Sequence, residues 1–199
     1  MSLNIFGLRI YVSVPFCVMI AALLFMDKSG LMTVSLLAVA VHEAGHILMM
    51  KQLHCAPSYI SFNISGMLIS GVKFCDTKDN ILIALSGPLS NLLFSAVFCG
   101  LYYFQFGFSM LVFSAVQFIV GAFNLLPVKG LDGGTVLREI CLFTFKKNGG
   151  MIFSFISIFT ACAIAVFGIV VTVKNNDNPS LLLLGIYLVI LNIFKIDRM

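Results

Sequence analysis

The chain has 199 residues, of which 60% are hydrophobic and only 10% are charged, and its net charge at pH 7 is +4. A soluble domain of this length carries far more charge, so the composition and the mean hydropathy of +1.08 exclude that class. The small net charge gives no indication of a nucleic-acid partner, and the expected surroundings are a lipid bilayer. The composition predicts an all-α polytopic membrane protein.

Six apolar stretches predict six transmembrane helices in one intramembrane domain, residues 1–199. The first stretch has no small-residue cleavage site after it, which predicts a retained helix and not a signal peptide. The last one is short but can cross a locally thinned bilayer. The predicted spans are residues 10–26, 31–51, 81–104, 108–126, 151–173 and 180–194.

Residues 52–79 interrupt this series of spans. They mix Pro, Gly and Asn with short β-favouring runs such as YISF and GMLISGVKF, which predicts a small membrane-associated β-hairpin after the second helix. Lipid cannot satisfy open strand edges, so the hairpin must be covered by protein or line a wet cavity. The six cysteines are expected to be small apolar residues, although Cys55 and Cys75 flank this segment and could pair.

The second span carries the pattern H-E-x-x-H at His42, Glu43 and His46. Each ionisable group at membrane depth costs about 2.5–3.5 kcal/mol, so three within one turn require local compensation. His42 and His46 are four residues apart and therefore lie on one helix face, where they can bind one metal ion with Glu43 beside it to handle protons. This is the arrangement of zinc metallopeptidases.

A catalytic zinc ion needs a third protein ligand and leaves its fourth position to water. Asp132 is the candidate, because it follows the helix stop at Pro127 in NLLPVKGLDGG and precedes Gly133 in an irregular, glycine-rich stretch. The end of the fourth span emerges on the same side as His46 and His42, which lie about 7 and 13 Å inside that end of the second span. We therefore predict one Zn²⁺ per chain.

Four further residues lie near the predicted site. Asn91 and Asn124 are amides at membrane depth, and they are either donors to the substrate or its oxyanion or interhelical hydrogen-bonding groups. Gly87 and Pro88 are expected to allow close helix approach and local unwinding. With zinc lowering the pKa of a water to about 7, Glu43 would take its proton and deliver it to the leaving amine.

The positive charges predict the topology. Ten Lys and Arg residues fall on one side of the predicted spans and only Lys28 and Lys174 on the other, so both termini are expected in the cytoplasm. The ten residues are Arg9, Lys51, Lys73, Lys78, Lys129, Arg138, Lys146, Lys147, Lys195 and Arg198.

HEAGH, SGPLSN and NLLPVKGLDGG together resemble the site-2 protease family of intramembrane zinc metalloproteases. The six-span layout is similar to the compact branch with the bacterial sporulation protease that acts on a sigma-factor precursor. The resemblance implies zinc on His42, His46 and Asp132, Glu43 as catalytic acid and base, Asn124 near the substrate, and regulated intramembrane proteolysis in a bacterial cell membrane. Neither a PDZ insertion nor a nucleotide-sensing domain is seen in the sequence, so the regulator, such as a partner membrane protein, is left open.

Two other functions compete with a protease. A metal-binding protein or transporter would spread polar ligands along a path through several helices, whereas here the first, fifth and sixth spans contain no ionisable residue. An inactive scaffold that binds membrane clients would be expected to have lost Glu43 or a ligand. The expected partner is therefore a transmembrane protein substrate, which an edge of the predicted hairpin could bind as an added strand.

Overall fold

The computed structural model describes residues 2–5, 8–55, 59–63, 66–70, 76–175 and 179–194. The chain divides into two compact units, Met1–Gly121 and Ala122–Met199. The first unit contains β1 (Ser2–Ile5), β2 (Leu8–Val12), α1 (Val14–Met26), α2 (Leu31–Gln52), β3 (Tyr59–Asn63), β4 (Gly66–Ser70), α3 (Thr77–Tyr103) and most of α4 (Phe108–Asn124). The second contains α5 (Asp132–Phe145), a 3-10 turn (Lys146–Asn148), α6 (Gly149–Asn175) and α7 (Ser180–Phe194).

Long apolar helices dominate the described chain. Three stretches are long and apolar enough to cross a bilayer, and α1, α4 and α7 are shorter apolar helices. The chain is therefore a helical membrane protein, while the count of six spans, the bacterial cell membrane and the cytoplasmic termini stay predictions. Lys73, Lys195 and Arg198, which contribute to the topology prediction, lie outside the described residues. The three stretches are Leu31–Gln52, Thr77–Tyr103 and Asp132–Lys174.

The strands form one sheet in the order β1-β2-β3-β4. Strands β3 and β4 pair antiparallel within the segment where the sequence predicts a hairpin, and β2 joins β3 in parallel, with Arg9 opposite Tyr59. The sequence analysis did not predict β1 and β2, and it placed residues 10–12 in the first span. The structure corrects this, because Ile10, Tyr11 and Val12 form a strand and the helix begins at Val14.

Local signals explain where α1 and α2 begin. The Ser13 hydroxyl accepts a hydrogen bond from the Phe16 amide, and Pro15 lies in the first turn of α1, where its missing N–H has no cost. Before α2, the Asp27 carboxylate accepts from the backbone amides of Ser29 and Met32. The Ser29 hydroxyl, which also donates to this carboxylate, holds the pKa of Asp27 below its ordinary value.

Helices α2 and α3 lie very close together. A Cβ built on Gly45 would lie 2.6 Å from both the Ser86 carbonyl oxygen and the Ser90 hydroxyl, so only glycine permits this approach. Pro88 is fully buried within α3, which is helical throughout. Close approach at the SGPLSN motif is therefore observed, whereas the local unwinding predicted at Gly87 and Pro88 is not.

The second unit has a small apolar core of Val128, Ala161 and Leu188. In it α6 and α7 cross closely, because a Cβ on Gly185 would lie 2.5 Å from the Ala165 Cα. The cysteines are mostly unpaired, as expected: the four at positions 17, 99, 141 and 162 are free. Cys55, however, is disulfide-bonded, and Cys75, its expected partner if any, lies outside the described residues.

Candidate metal centre

The two histidines of H-E-x-x-H lie side by side on α2. Both are buried, and their rings meet edge to face with centroids 4.8 Å apart. The four-residue spacing places the Nε2 atoms of His42 and His46 on the same helix face, 3.2 Å from each other. The sequence prediction that these two side chains converge agrees with this geometry.

Each imidazole is oriented by a hydrogen bond at its other nitrogen. The His46 Nδ1 lies 2.7 Å from the backbone carbonyl oxygen of Ile83, and the His42 Nδ1 lies 2.8 Å from the Asn91 Oδ1. A carbonyl oxygen only accepts, so the Nδ1 of His46 carries a proton. In the neutral imidazole the Nε2 then carries the lone pair.

The orientation of the Asn91 amide gives the same result for His42. The Asn91 Nδ2 donates to the Ala38 carbonyl oxygen at 2.9 Å and to the Gln117 Oε1, so its Oδ1 is the atom that faces His42. The Nδ1 of His42 must therefore be the donor. Both Nδ2 hydrogens of this buried amide have acceptors, which favours interhelical hydrogen bonding for Asn91 over donation to an oxyanion.

In their neutral forms the two imidazoles therefore direct their Nε2 lone pairs at one point. Two acceptors at 3.2 Å do not bond to each other, and a cation between them removes the repulsion. Tetrahedral Zn²⁺ with Zn–N bonds of about 2.0–2.1 Å separates two nitrogen ligands by about 3.3–3.4 Å, close to the observed distance. Gly87 leaves the space at these atoms free, because a Cβ there would lie 2.4 Å from the His46 Nε2 and 2.9 Å from the His42 Nε2.

Asp132 belongs to the same group of possible ligands. His42 and His46 supply one imidazole nitrogen each and Asp132 a carboxylate oxygen, and these three residues could hold a metal ion. Two imidazoles and a carboxylate are the donor set that catalytic zinc takes from proteins. The residues present are therefore chemically suited to zinc, while the metal itself stays a prediction.

The glycines after Asp132 have a structural explanation. Asp132 is the first residue of α5, and the chain before it turns back so tightly that a Cβ on Gly133 would lie 2.1 Å from the Leu125 carbonyl oxygen. A Cβ on Gly134 would lie 2.0 Å from the Val128 carbonyl oxygen. Helix α5 can therefore begin at Asp132, because glycine lets the backbone pack this closely.

The structure places the remaining predicted residues in α2, in α4 and in the turn before α5. Glu43 follows His42 on α2 and is half-buried, Asn124 is the last residue of α4 and also half-buried, and Pro127 lies in the turn that precedes Asp132. The roles of Glu43 and Asn124 toward water and substrate stay predictions.

Sequence reasoning missed several buried polar residues, among them Gln117, Ser157 and Asn192. Gln117 bonds to Asn91, and the Ser157 hydroxyl donates to the Asn192 Oδ1. The sequence does mark such residues, because an amide or hydroxyl inside an apolar helix is costly unless it has a hydrogen-bond partner. This criterion was applied to Asn91 and Asn124 and not to these residues.

Comparisons with known proteins support the resemblance through the fold. No family model and no curated protein matches the sequence. Among solved structures, the chain is similar to the site-2 protease from Methanocaldococcus jannaschii, with a TM-score of 0.66 and 21% sequence identity over 98% of this chain and 94% of that one. At this level of identity the match shows the fold of a site-2 protease alone, and it gives no support to the sporulation-type branch.

Proposed function

We propose that this chain, which has the fold of a site-2 protease, is an intramembrane zinc metalloprotease that cuts peptide bonds in or near transmembrane segments of other membrane proteins. The observation that carries the proposal is the pair of imidazoles on α2 whose Nε2 atoms converge at 3.2 Å inside an apolar helix. We propose Asp132 as the third ligand, in accord with its grouping with His42 and His46.

The residues of the chain would divide the chemistry between them. When bound, zinc would activate a water molecule and polarise the peptide carbonyl. Glu43, next to a ligand in the sequence, would take a proton from the attacking water and pass it to the leaving amine. Asn91 and the Ile83 carbonyl would accept the Nδ1 hydrogens, which fixes the tautomer and the direction of both ligand imidazoles.

Metal analysis combined with one isosteric substitution tests this proposal. Glu43→Gln should keep about one zinc ion per purified chain and reduce cleavage of a co-expressed membrane reporter by at least about a hundredfold, because the carboxylate handles protons and is not a ligand. Glu139→Gln, the same change on α5 at a residue that pairs with Arg138, is the matched control and should cleave normally.

Other results would point elsewhere. Undiminished cleavage by Glu43→Gln would contradict the assignment of Glu43. Iron in place of zinc would contradict the metal, since two histidines and one carboxylate also suit Fe²⁺. Zinc transport into proteoliposomes that does not depend on Glu43 would favour the transporter.

We further propose that an extended substrate segment adds to the outer edge of β4. A peptide bond within a helix is protected by its own hydrogen bonds, and strand addition would expose it. Strand β4 is the last strand in the order of the sheet, which supports this placement. The substrate is a transmembrane protein, and the comparisons provide no basis for a sporulation sigma-factor precursor.

Proline substitution along β4 tests strand addition. Proline at Met67, Leu68 or Ile69 removes an N–H from the strand, and at least one of the three changes should reduce cleavage while zinc content stays at the wild-type level. Alanine at the same positions retains the N–H and serves as the control. Full activity in all three proline variants would contradict the proposal.

A further inference from the structure

Ser157 on α6 and Asn192 on α7 form a buried polar pair in helices that are otherwise apolar. Ser157 is fully buried and Asn192 is 2% exposed. The Asn192 Nδ2 donates to the Leu188 carbonyl oxygen at 2.9 Å, so the Oδ1 is the atom that faces Ser157, and the serine hydroxyl donates to it. The direction of each hydrogen bond is therefore fixed.

The third member of this chain of hydrogen bonds lies outside the two helices. The backbone N–H of Lys129 donates to the Ser157 Oγ at 2.7 Å. Lys129 belongs to the turn Pro127–Leu131, which leads directly into Asp132. A pair that served only to join α6 to α7 would not require this donor, whereas here the serine connects the turn to both helices.

The neighbouring residue of the turn is anchored on the same helices by apolar contact. Val128 is fully buried and packs with Ala161 and Leu188. Ala161 lies one helical turn after Ser157, and Leu188 lies one turn before Asn192. Two consecutive residues, Val128 and Lys129, are thus held by adjacent turns of α6 and α7, one by packing and the other by a hydrogen bond.

This anchorage extends to the start of α5. The Leu131 amide donates to the Val128 carbonyl oxygen at 3.0 Å, and Gly134 packs against the same carbonyl so closely that a Cβ would lie 2.0 Å from it. A shift of Val128 and Lys129 therefore cannot occur without a shift of the first turn of α5. Asp132 is in that turn.

We propose that Ser157 and Asn192 are positioning residues for the candidate ligand Asp132, acting through the Lys129 backbone. The inference rests on the proposed metal site for its purpose, because a ligand carboxylate must be held in place for tight binding. It predicts that loss of the Ser157 hydroxyl loosens the turn and weakens zinc binding even though neither residue is a ligand.

Three measurements on the purified full chain test the inference. In Ser157→Ala, hydrogen exchange of the segment 125–135, measured without metal, should be severalfold faster than in the wild type. Zinc affinity, measured by competition with a chelator, should fall about tenfold, and the visible spectrum of the Co²⁺-loaded protein should change. Ser157→Ala combined with Asn192→Leu should lose no more affinity than Ser157→Ala alone, because both act through one connection.

Thr160→Val is the matched control. Thr160 lies on the same helix, and its hydroxyl donates to the Ile156 carbonyl oxygen of its own helix at 2.9 Å. It should change neither exchange in the segment 125–135 nor zinc affinity.

Unchanged exchange in Ser157→Ala overturns the inference, and so does faster exchange with unchanged zinc affinity, since Ser157 would then contribute to packing alone. A wild-type chain that binds no zinc rejects the proposed function, and the exchange result then decides the anchorage of the turn by itself.

Discussion

The histidines and the aspartate are held in different ways. The imidazoles of His42 and His46 are themselves side chains, and they are oriented by the Asn91 amide and by the Ile83 carbonyl oxygen, respectively. The position of Asp132 is set by backbone contacts. The turn before it is held by the hydrogen bond of the Lys129 N–H, and the glycines after it pack against backbone carbonyl oxygens. A side chain can rotate to accommodate a change, whereas packed backbone must move as a segment. The two regions should therefore fail differently when they are mutated.

The largest loss of zinc affinity is expected from substitution of a candidate ligand itself. Asp132→Asn should lower zinc affinity by more than about a hundredfold and abolish cleavage, because it removes the charged oxygen that would bind the metal. Substitution of a residue that only supports a ligand usually costs about 10–100-fold. Metal content and cleavage of the membrane reporter measure the effect of Asp132→Asn. Asp27→Asn, at an exposed capping carboxylate, is the control and should retain both. If Asp132→Asn retained zinc in full, Asp132 would not be a ligand.

Glycine substitutions sharpen the comparison. Gly134→Ala should lower the free energy of unfolding by about 1–3 kcal/mol or more, because its Cβ would meet backbone at 2.0 Å. Gly87→Ala should lower the free energy of unfolding less than Gly134→Ala does, because its Cβ would meet imidazoles that can rotate. It should nevertheless lose zinc, because the displaced rings no longer converge. Thermal unfolding in detergent and metal content separate the two outcomes.

Each glycine has a control in a helix of its own unit. Gly100 in α3 and Gly150 in α6 have no atom within 4 Å of a built Cβ, and alanine there should be neutral or slightly stabilising. Equal losses of stability in Gly87→Ala and Gly134→Ala would contradict the distinction between the two regions.

A smaller effect is expected from the residues behind His42. Asn91→Leu removes the acceptor of the His42 Nδ1 proton and should lower zinc affinity about 10–100-fold. Gln117→Leu leaves that acceptor in place but removes one partner of the Asn91 Nδ2, so its effect should be smaller than that of Asn91→Leu. Chelator competition measures both, and a larger loss in Gln117→Leu would contradict this order.

The helices were largely predictable from the sequence. The ends of α2, α4, α6 and α7 agree with the predicted spans within a few residues, since apolar runs bounded by Gly, Pro and charged residues define them. The pairing of β2 with β3 could not be predicted from local sequence patterns. It joins residues far apart in the chain, and the run Ile10–Val12 is as apolar as the helix that follows it.

The site was predictable to the extent that spacing carries it. The i, i+4 relation alone places His42 beside His46, whereas the glycine-rich stretch only makes Asp132 a candidate ligand, and that role stays a prediction. The supporting contacts were not accessible, because a lone Gln117 or Ser157 in an apolar run does not reveal which neighbour it faces. Only the packing of the helices decides that.

The parallel pairing of β2 with β3 has a consequence for how the protein is made. Arg9 lies opposite Tyr59, and the chain between them contains all of α1 and α2. During synthesis the N-terminal strands leave the ribosome first and have no β3 to bind until both helices have followed. The parallel pairing of β2 with β3 can therefore form only after both intervening helices have been synthesised, so it is a late step in the folding of this region.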